Sequence, residues 1–150
     1  MHAPLVSACA VRELSSSADW LRIVGGLRSR PGFWWLDSAL VGPLLGRFSF
    51  AGAEPWCVLR SSGKRNQCEV LRAIRPQREP GRSTQLGDPL EALRMLLPAP
   101  PAAASAALPV PFAGGALVAF GYELGATLEP VAVSPADSFV LPDLTAFGVD

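Results

Sequence analysis

The sequence predicts an α+β fold, largely antiparallel sheet with two or three flanking helices. Three observations predict it. Two short segments carry apolar residues at helical spacing behind capping residues, residues 33 to 74 are strand-rich between turn signals, and the remaining stretches are dense in Pro and Gly.

The first helix is read from "SSSADWLRIVGGLRSRPG". Ser or Asp at its start caps free amides, and Trp20, Ile23, Val24 and Leu27 fall on one face at i, i+3, i+4 and i+7. Gly25 and Gly26 weaken its end, and Pro31-Gly32 stops it. "FWWLDS", "GRFSFAG", "PWCVLR" and "CEVLRAI" then read as strands of an antiparallel meander, with "SSGKRNQ" as a turn. From Arg75 to Gly87 the composition shifts to Pro, Arg, Gly, Ser and Gln, which predicts a surface loop. "GDPLEALRMLLP" predicts a second helix, with Asp88 as N-cap, Pro89 at the first helical position and Leu90, Leu93 and Leu97 along one face. "APPAAASAALP" is a low-complexity connector, and the apolar run in "VPFAGGALVAFGYELG" predicts a central strand buried on both faces. Gly114-Gly115 and Gly121 mark a bulge and a close backbone approach at its ends.

A chain of 150 residues suits a single domain, 1–150, able to bury roughly 70% of its unfolded surface. With 49% hydrophobic and 17% charged residues, it lies outside the compositions that stay disordered. A formal net charge of 0 gives no general field for nucleic acid or an anionic membrane. No apolar run reaches the ~18 residues of a membrane span, and the start lacks the basic-then-apolar order of a leader, so a cytoplasmic setting is expected. Low charge beside high apolar content implies surface covered by another domain. Cys9, Cys57 and Cys68 are odd in number and lack metal spacing; they read as small buried hydrophobes, although Cys57 and Cys68 could face each other across a hairpin. His2 sits at the terminus and is no catalytic base.

The motifs hold no complete catalytic set. "AGGALVAFG" lacks the G-x-G-x-x-G order of a dinucleotide loop, and no phosphate loop, nucleophile elbow or paired His ligands occur. Glu54, Glu123 and Glu129 lie near aromatic or Gly-rich segments, but without a positioned partner they read as structural carboxylates. The polar interruption at Asp37-Ser38 is different. On a strand through residues 33 to 37, alternation sends Trp34 and Leu36 one way and Phe33, Trp35 and Asp37 the other. A carboxylate on an aromatic face needs a partner, and Arg47 on the next strand is a natural one. The bland alternative is a turn in which Asp37 and Ser38 bond the amides of Ala39 to Val41. The functional alternative is a pocket with polar Asp37, Ser38 and Ser49 and a wall of Leu36, Phe48 and Phe50.

"FWWLDSALVGPLLGRFSFAG" resembles the segment that opens the N-terminal domain of the chorismate-utilising enzymes, anthranilate synthase component I and aminodeoxychorismate synthase component I. "PFAGGALVAFGYELGATLEP" is similar to the family's Pro-Phe-x-Gly-Gly and Gly-Tyr-acidic signature, "LPD" at 141–143 to the element that follows, and "DPLEALRMLLP" to the helix before it. Four motifs in order cover about residues 15 to 150. Departures are Val118-Ala119, where the family often has Gly and an aromatic, and Asp37, where Glu is commoner. "FWLDS"-type spelling with "RFSF" looks closer to the aminodeoxychorismate branch. The resemblance implies the N-terminal part of a larger enzyme that aminates chorismate with ammonia from a glutamine amidotransferase partner. It places Mg²⁺ on carboxylates of a C-terminal chorismate-binding domain, with catalytic residues and cofactor there and none in this chain. It also implies a tryptophan pocket, carried here by Leu36, Asp37, Ser38, Arg47, Phe48 and Ser49. The other expectations are an anthranilate synthase component I domain and a stand-alone interaction or scaffold domain.

Overall fold

The computed structural model describes residues 16–38, 42, 46–73, 79–97, 112, 114–130 and 141–149. The readings of His2, Cys9, Ala39 to Val41 and the connector after Leu97 lie outside them. Among the described residues the fold is α+β, as predicted, with two antiparallel sheets and three helices. No helix among them is long and apolar enough to cross a membrane. Contacts divide the chain into two compact units: the described residues up to Pro55 belong to one and those from Trp56 onward to the other.

In the first unit, helix α1 (Ser17–Leu27) begins where Ser16 is extended and its side chain accepts from the Asp19 amide at 3.3 Å. This satisfies one of the free amides of the first turn. Val24 is buried, Trp20 and Leu27 are half-buried, and Ile23 is exposed, so the predicted apolar face is narrower by one residue. After the helix the chain turns at Gly32, whose φ is +63°. A Cβ there would also lie 2.5 Å from Pro55 Cδ, so glycine is required twice over. The chain then forms a two-stranded sheet of β1 (Trp34–Leu36) and β2 (Phe50–Gly52), antiparallel, with Trp34 opposite Gly52, Trp35 opposite Ala51 and Leu36 opposite Phe50.

The Trp34 indole lies over Gly52, where an added Cβ would come within 2.6–2.9 Å of three ring atoms. An aromatic side chain folded onto a cross-strand glycine shields the backbone that glycine leaves bare. Gly52→Ala is therefore expected to displace the indole and cost about 1–3 kcal/mol. Thermal unfolding followed by tryptophan emission checks it, and an unchanged midpoint and spectrum would contradict the packing.

The second unit is built on a five-stranded antiparallel sheet. β3 (Cys57–Ser62) and β4 (Arg65–Val70) form a hairpin, β5 (Gly81–Leu86) adds beside β4, and β7 (Leu144–Val149) lies between β3 and β6 (Gly115–Phe120). The hairpin turn is only Gly63-Lys64, tighter than the seven residues expected, because Arg65, Asn66 and Gln67 are already paired. Gly63 has φ +53°, and its N–H donates to Asp143 Oδ2 at 2.6 Å, tying the turn to the start of β7.

One sheet face carries the core: Trp56, Cys57, Leu59, Leu144 and Ala146, with Leu96 of helix α2 (Pro89–Leu96). The helix starts as predicted. Asp88 accepts from the Leu90 amide at 2.7 Å and Pro89 takes the first position, where its missing N–H costs nothing. Leu90 and Leu93 pack on the core, but Leu96, not Leu97, is the buried end residue. Cys57 is fully buried and Cys68 half-buried, in keeping with their reading as small hydrophobes.

Two expectations are corrected here. Residues 81–86, expected as loop, form β5, paired through all six residues with β4. All six are exposed, so an edge strand with solvent around its side chains shows no apolar alternation to read. β6 was expected at the centre of a sheet, yet it pairs with β7 at one end of the strand order and is half-buried to exposed. Gly121 makes the close approach read for it, since a Cβ there would meet the Pro142 and Asp143 backbone at 3.2–3.3 Å; Gly114 and Gly115 have φ near +130°, but from Gly115 the pairing with β7 runs without a bulge.

Candidate functional site

Beyond β1 and β2 the hairpin does not simply end. Continuing the register of Leu36 opposite Phe50 sets Asp37 against Ser49 and Ser38 against Phe48, and these pairs are held by side chains. Ser49 Oγ donates to Asp37 Oδ1 at 2.8 Å and accepts from the Ser38 amide at 3.1 Å. Ser38 Oγ donates to the Phe48 carbonyl at 2.6 Å. Short hydroxyl and carboxylate side chains compete well for backbone groups, which is why this sequence can replace two rungs of backbone ladder with side-chain bonds.

The six residues singled out in the sequence are thus brought to one end of one hairpin, with one difference. Arg47 does not pair with Asp37. Its guanidinium lies over the Phe48 ring, 5.3 Å from the centroid, and among the described residues no ion pair joins it to an acid. The carboxylate is satisfied by a neutral hydroxyl instead, so the arginine charge is left to the aromatic face. The printed bonds of Asp37 and Ser38 run to Ser49 and Phe48 across the hairpin, while the amides of Ala39 to Val41 named in the bland alternative lie outside the described residues.

The remaining capacity of the site follows from this bonding. Asp37 is exposed and keeps a carboxylate oxygen, Oδ2, outside the bond to Ser49. Ser38 and Ser49 have spent their protons inward, so toward a ligand their oxygens only accept. Leu36, Trp35 and Phe48 are each between 43% and 51% exposed, and Phe48 stacks on Phe50 with ring centroids 6.2 Å apart. An apolar edge, one carboxylate and one guanidinium can bind a ligand through apolar contact and charge. Trp34 Nε1, buried without a hydrogen-bond partner and lying against Gly52 at the other end of this sheet, is a feature that alternation alone did not flag.

The other carboxylates take structural places. Glu54 pairs with Arg30 at 3.2 Å, both more than half exposed, in a residue whose φ is +56° and whose N–H donates to the Pro31 carbonyl. Glu123 and Glu129 are exposed, the former in a 3-10 helix (Tyr122–Thr127). Among the described residues no group of three or more His, Cys, Asp and Glu stands together in a way that could hold a metal ion.

No family model matches the chain. It is similar to aminodeoxychorismate synthase component 1 of Escherichia coli (strain K12), with 33% identity over 98 residues. That stretch takes in 65% of this chain and 20% of the relative, so the chain spans about one fifth of the curated protein it matches. The similarity supports the chorismate-utilising family and nothing finer.

Proposed function

We propose that this chain is the N-terminal, non-catalytic part of an aminodeoxychorismate synthase component 1, supporting a chorismate-binding domain that follows it in a cytoplasmic enzyme. The observation that carries the reading is the 33% identity over 98 residues to the E. coli protein of that name. The order of the four sequence motifs supports it independently. In this reading the full enzyme aminates chorismate toward p-aminobenzoate, with ammonia from a glutamine amidotransferase and Mg²⁺ bound elsewhere. The exposed apolar side chains at the hairpin, Trp35, Leu36 and Phe48, suit a surface completed by further chain.

Within it, Leu36, Asp37, Ser38, Arg47, Phe48 and Ser49 form part of an effector pocket for an aromatic amino acid such as tryptophan. Asp37 Oδ2 takes the α-ammonium, the Arg47 guanidinium is the cation available for the carboxylate, and Leu36 and Phe48 cover the ring. The bond from Ser49 holds Asp37 in place before the ligand arrives, and that from Ser38 to the Phe48 carbonyl fixes the hairpin end beside it, which lowers the ordering cost of binding.

The test is product identity. The intact protein, supplied with chorismate, Mg²⁺ and ammonia, is expected to yield an aminated chorismate that becomes p-aminobenzoate only after a lyase is added. Direct release of anthranilate would move the chain to the anthranilate branch. Unconsumed chorismate would leave a stand-alone interaction domain.

A further inference from the structure

The two ends of the five-stranded sheet differ in kind. β5 closes one end with Gly-Arg-Ser-Thr-Gln-Leu, exposed throughout, and its Arg82 pairs with Glu69 at 2.9 Å. Among the described residues β6 closes the other, with Gly-Ala-Leu-Val-Ala-Phe, a run that holds neither a charge nor a proline. Sheets keep an edge from pairing with further strands by placing charged side chains, prolines or bulges on it. β5 carries such a device. The sequence of β6 carries none, and it pairs with β7 through all six residues.

The backbone of β6 is open in the same direction. The Gly121 amide donates to the Asp143 carbonyl at 2.7 Å, in register with Phe120 opposite Leu144. By the alternation of an antiparallel pair, Leu117 and Ala119 also turn N–H and C=O toward β7, and Ala116, Val118 and Phe120 turn theirs outward. Val118 and Phe120 lie opposite the buried Ala146 and Leu144, so their side chains share the core face of the sheet. Burial fades along that face. Val118 is half-buried, Phe120 is 59% exposed and Tyr122, just past it, 95%. An uncharged strand whose core face ends in water has the composition of an interior strand in the place of an edge.

We infer that the outer edge of β6 takes a further β-strand, supplied by the part of the same polypeptide that follows these 150 residues. Its backbone bonds to Ala116, Val118 and Phe120, and its apolar side chains lie over Val118 and Phe120. The occupant follows from length: the match takes in 20% of the relative, so the remaining four fifths of such an enzyme is further chain, tethered close to the edge it joins. The inference rests on reading this chain as the first part of that enzyme.

Photo-crosslinking of the intact protein tests it, with p-benzoylphenylalanine placed at Phe120 and, as the control, at Leu86, the last residue of β5. Illumination is expected to join position 120 to a peptide beyond residue 150 of the same polypeptide, and to give no such product at position 86. Mixing isotope-labelled with unlabelled protein separates joins within one polypeptide from joins between two. Hydrogen exchange resolved to single amides is the second measurement: Ala116, Val118 and Phe120 are expected to exchange roughly a hundredfold more slowly than Arg82, Thr84 and Leu86. A product at position 120 that falls within the first 150 residues or joins two copies, no product there, or equally fast exchange at both edges would each overturn the inference. Product identity with chorismate is a separate readout. Amination without the crosslink removes the added strand and keeps the enzyme reading; the crosslink without amination removes the enzyme reading and keeps the strand.

Discussion

Leu144→Ala is expected to destabilise the chain by about 2–5 kcal/mol. Leu144 is fully buried, on a strand hydrogen-bonded on both sides, opposite Ser61 of β3 and Phe120 of β6. Neighbours paired on both sides cannot collapse into the space, so the loss includes a cavity as well as lost transfer energy. A domain of this kind has about 5–15 kcal/mol in total, so the change removes a large share. Denaturant unfolding should show a lower midpoint at unchanged slope. Leu86→Ala is the control, since Leu86 is 83% exposed and its loss should stay within about 0.5 kcal/mol. Equal effects from the two would contradict the placement of the core.

Gly148→Ala should be the next most damaging change, for the opposite reason. An added Cβ would lie 2.5 Å from Trp56 Cε2 and 2.6 Å from Cys57 Sγ, side chains that are 3% and 0% exposed. Neither the ring nor the strand can retreat easily, because the Trp56 amide donates to the Gly148 carbonyl at 2.9 Å and holds the two backbones together. Overpacking of this kind costs about 1–3 kcal/mol. A double-mutant cycle with Trp56→Phe separates the contact from general damage. The smaller ring should relieve part of the clash, so the pair should be less destabilising than the sum by about 0.5 kcal/mol or more. Strict additivity would show that the indole is not what the new methyl meets.

Both α-helices were legible because each is announced by a chemical start: Ser16 and Asp88 bond the amides that the first turn leaves free. The hairpin β3–β4 was legible from its glycine and its apolar flanks. β5 was not, since the backbone bonds that make it a strand leave no mark on side chains that all face solvent. β6 misled in the other direction, because apolar composition reports suitability for burial and not position in the strand order. The role of Gly148 and Gly52 was also hidden: Gly52 is set by a tryptophan on the neighbouring strand and Gly148 by one just ahead of its neighbouring strand, relations that no local pattern carries. At the candidate site the residues were legible and their partners were not. Charge suggested Asp37 with Arg47, whereas the continued register brings Ser49 to Asp37 first, and the guanidinium settles on Phe48.

On the proposed reading, this hairpin end recognises an aromatic amino acid, with Asp37 as the group that holds the ammonium. Titration calorimetry of tryptophan into the intact protein, wild type beside Asp37→Ala and Ser38→Ala, tests it most directly. The account predicts saturable binding in the wild type and a loss of at least tenfold in Asp37→Ala, about 1.4 kcal/mol or more, with a smaller loss in Ser38→Ala. Equal affinity in all three proteins, or no binding to the wild type, would contradict it.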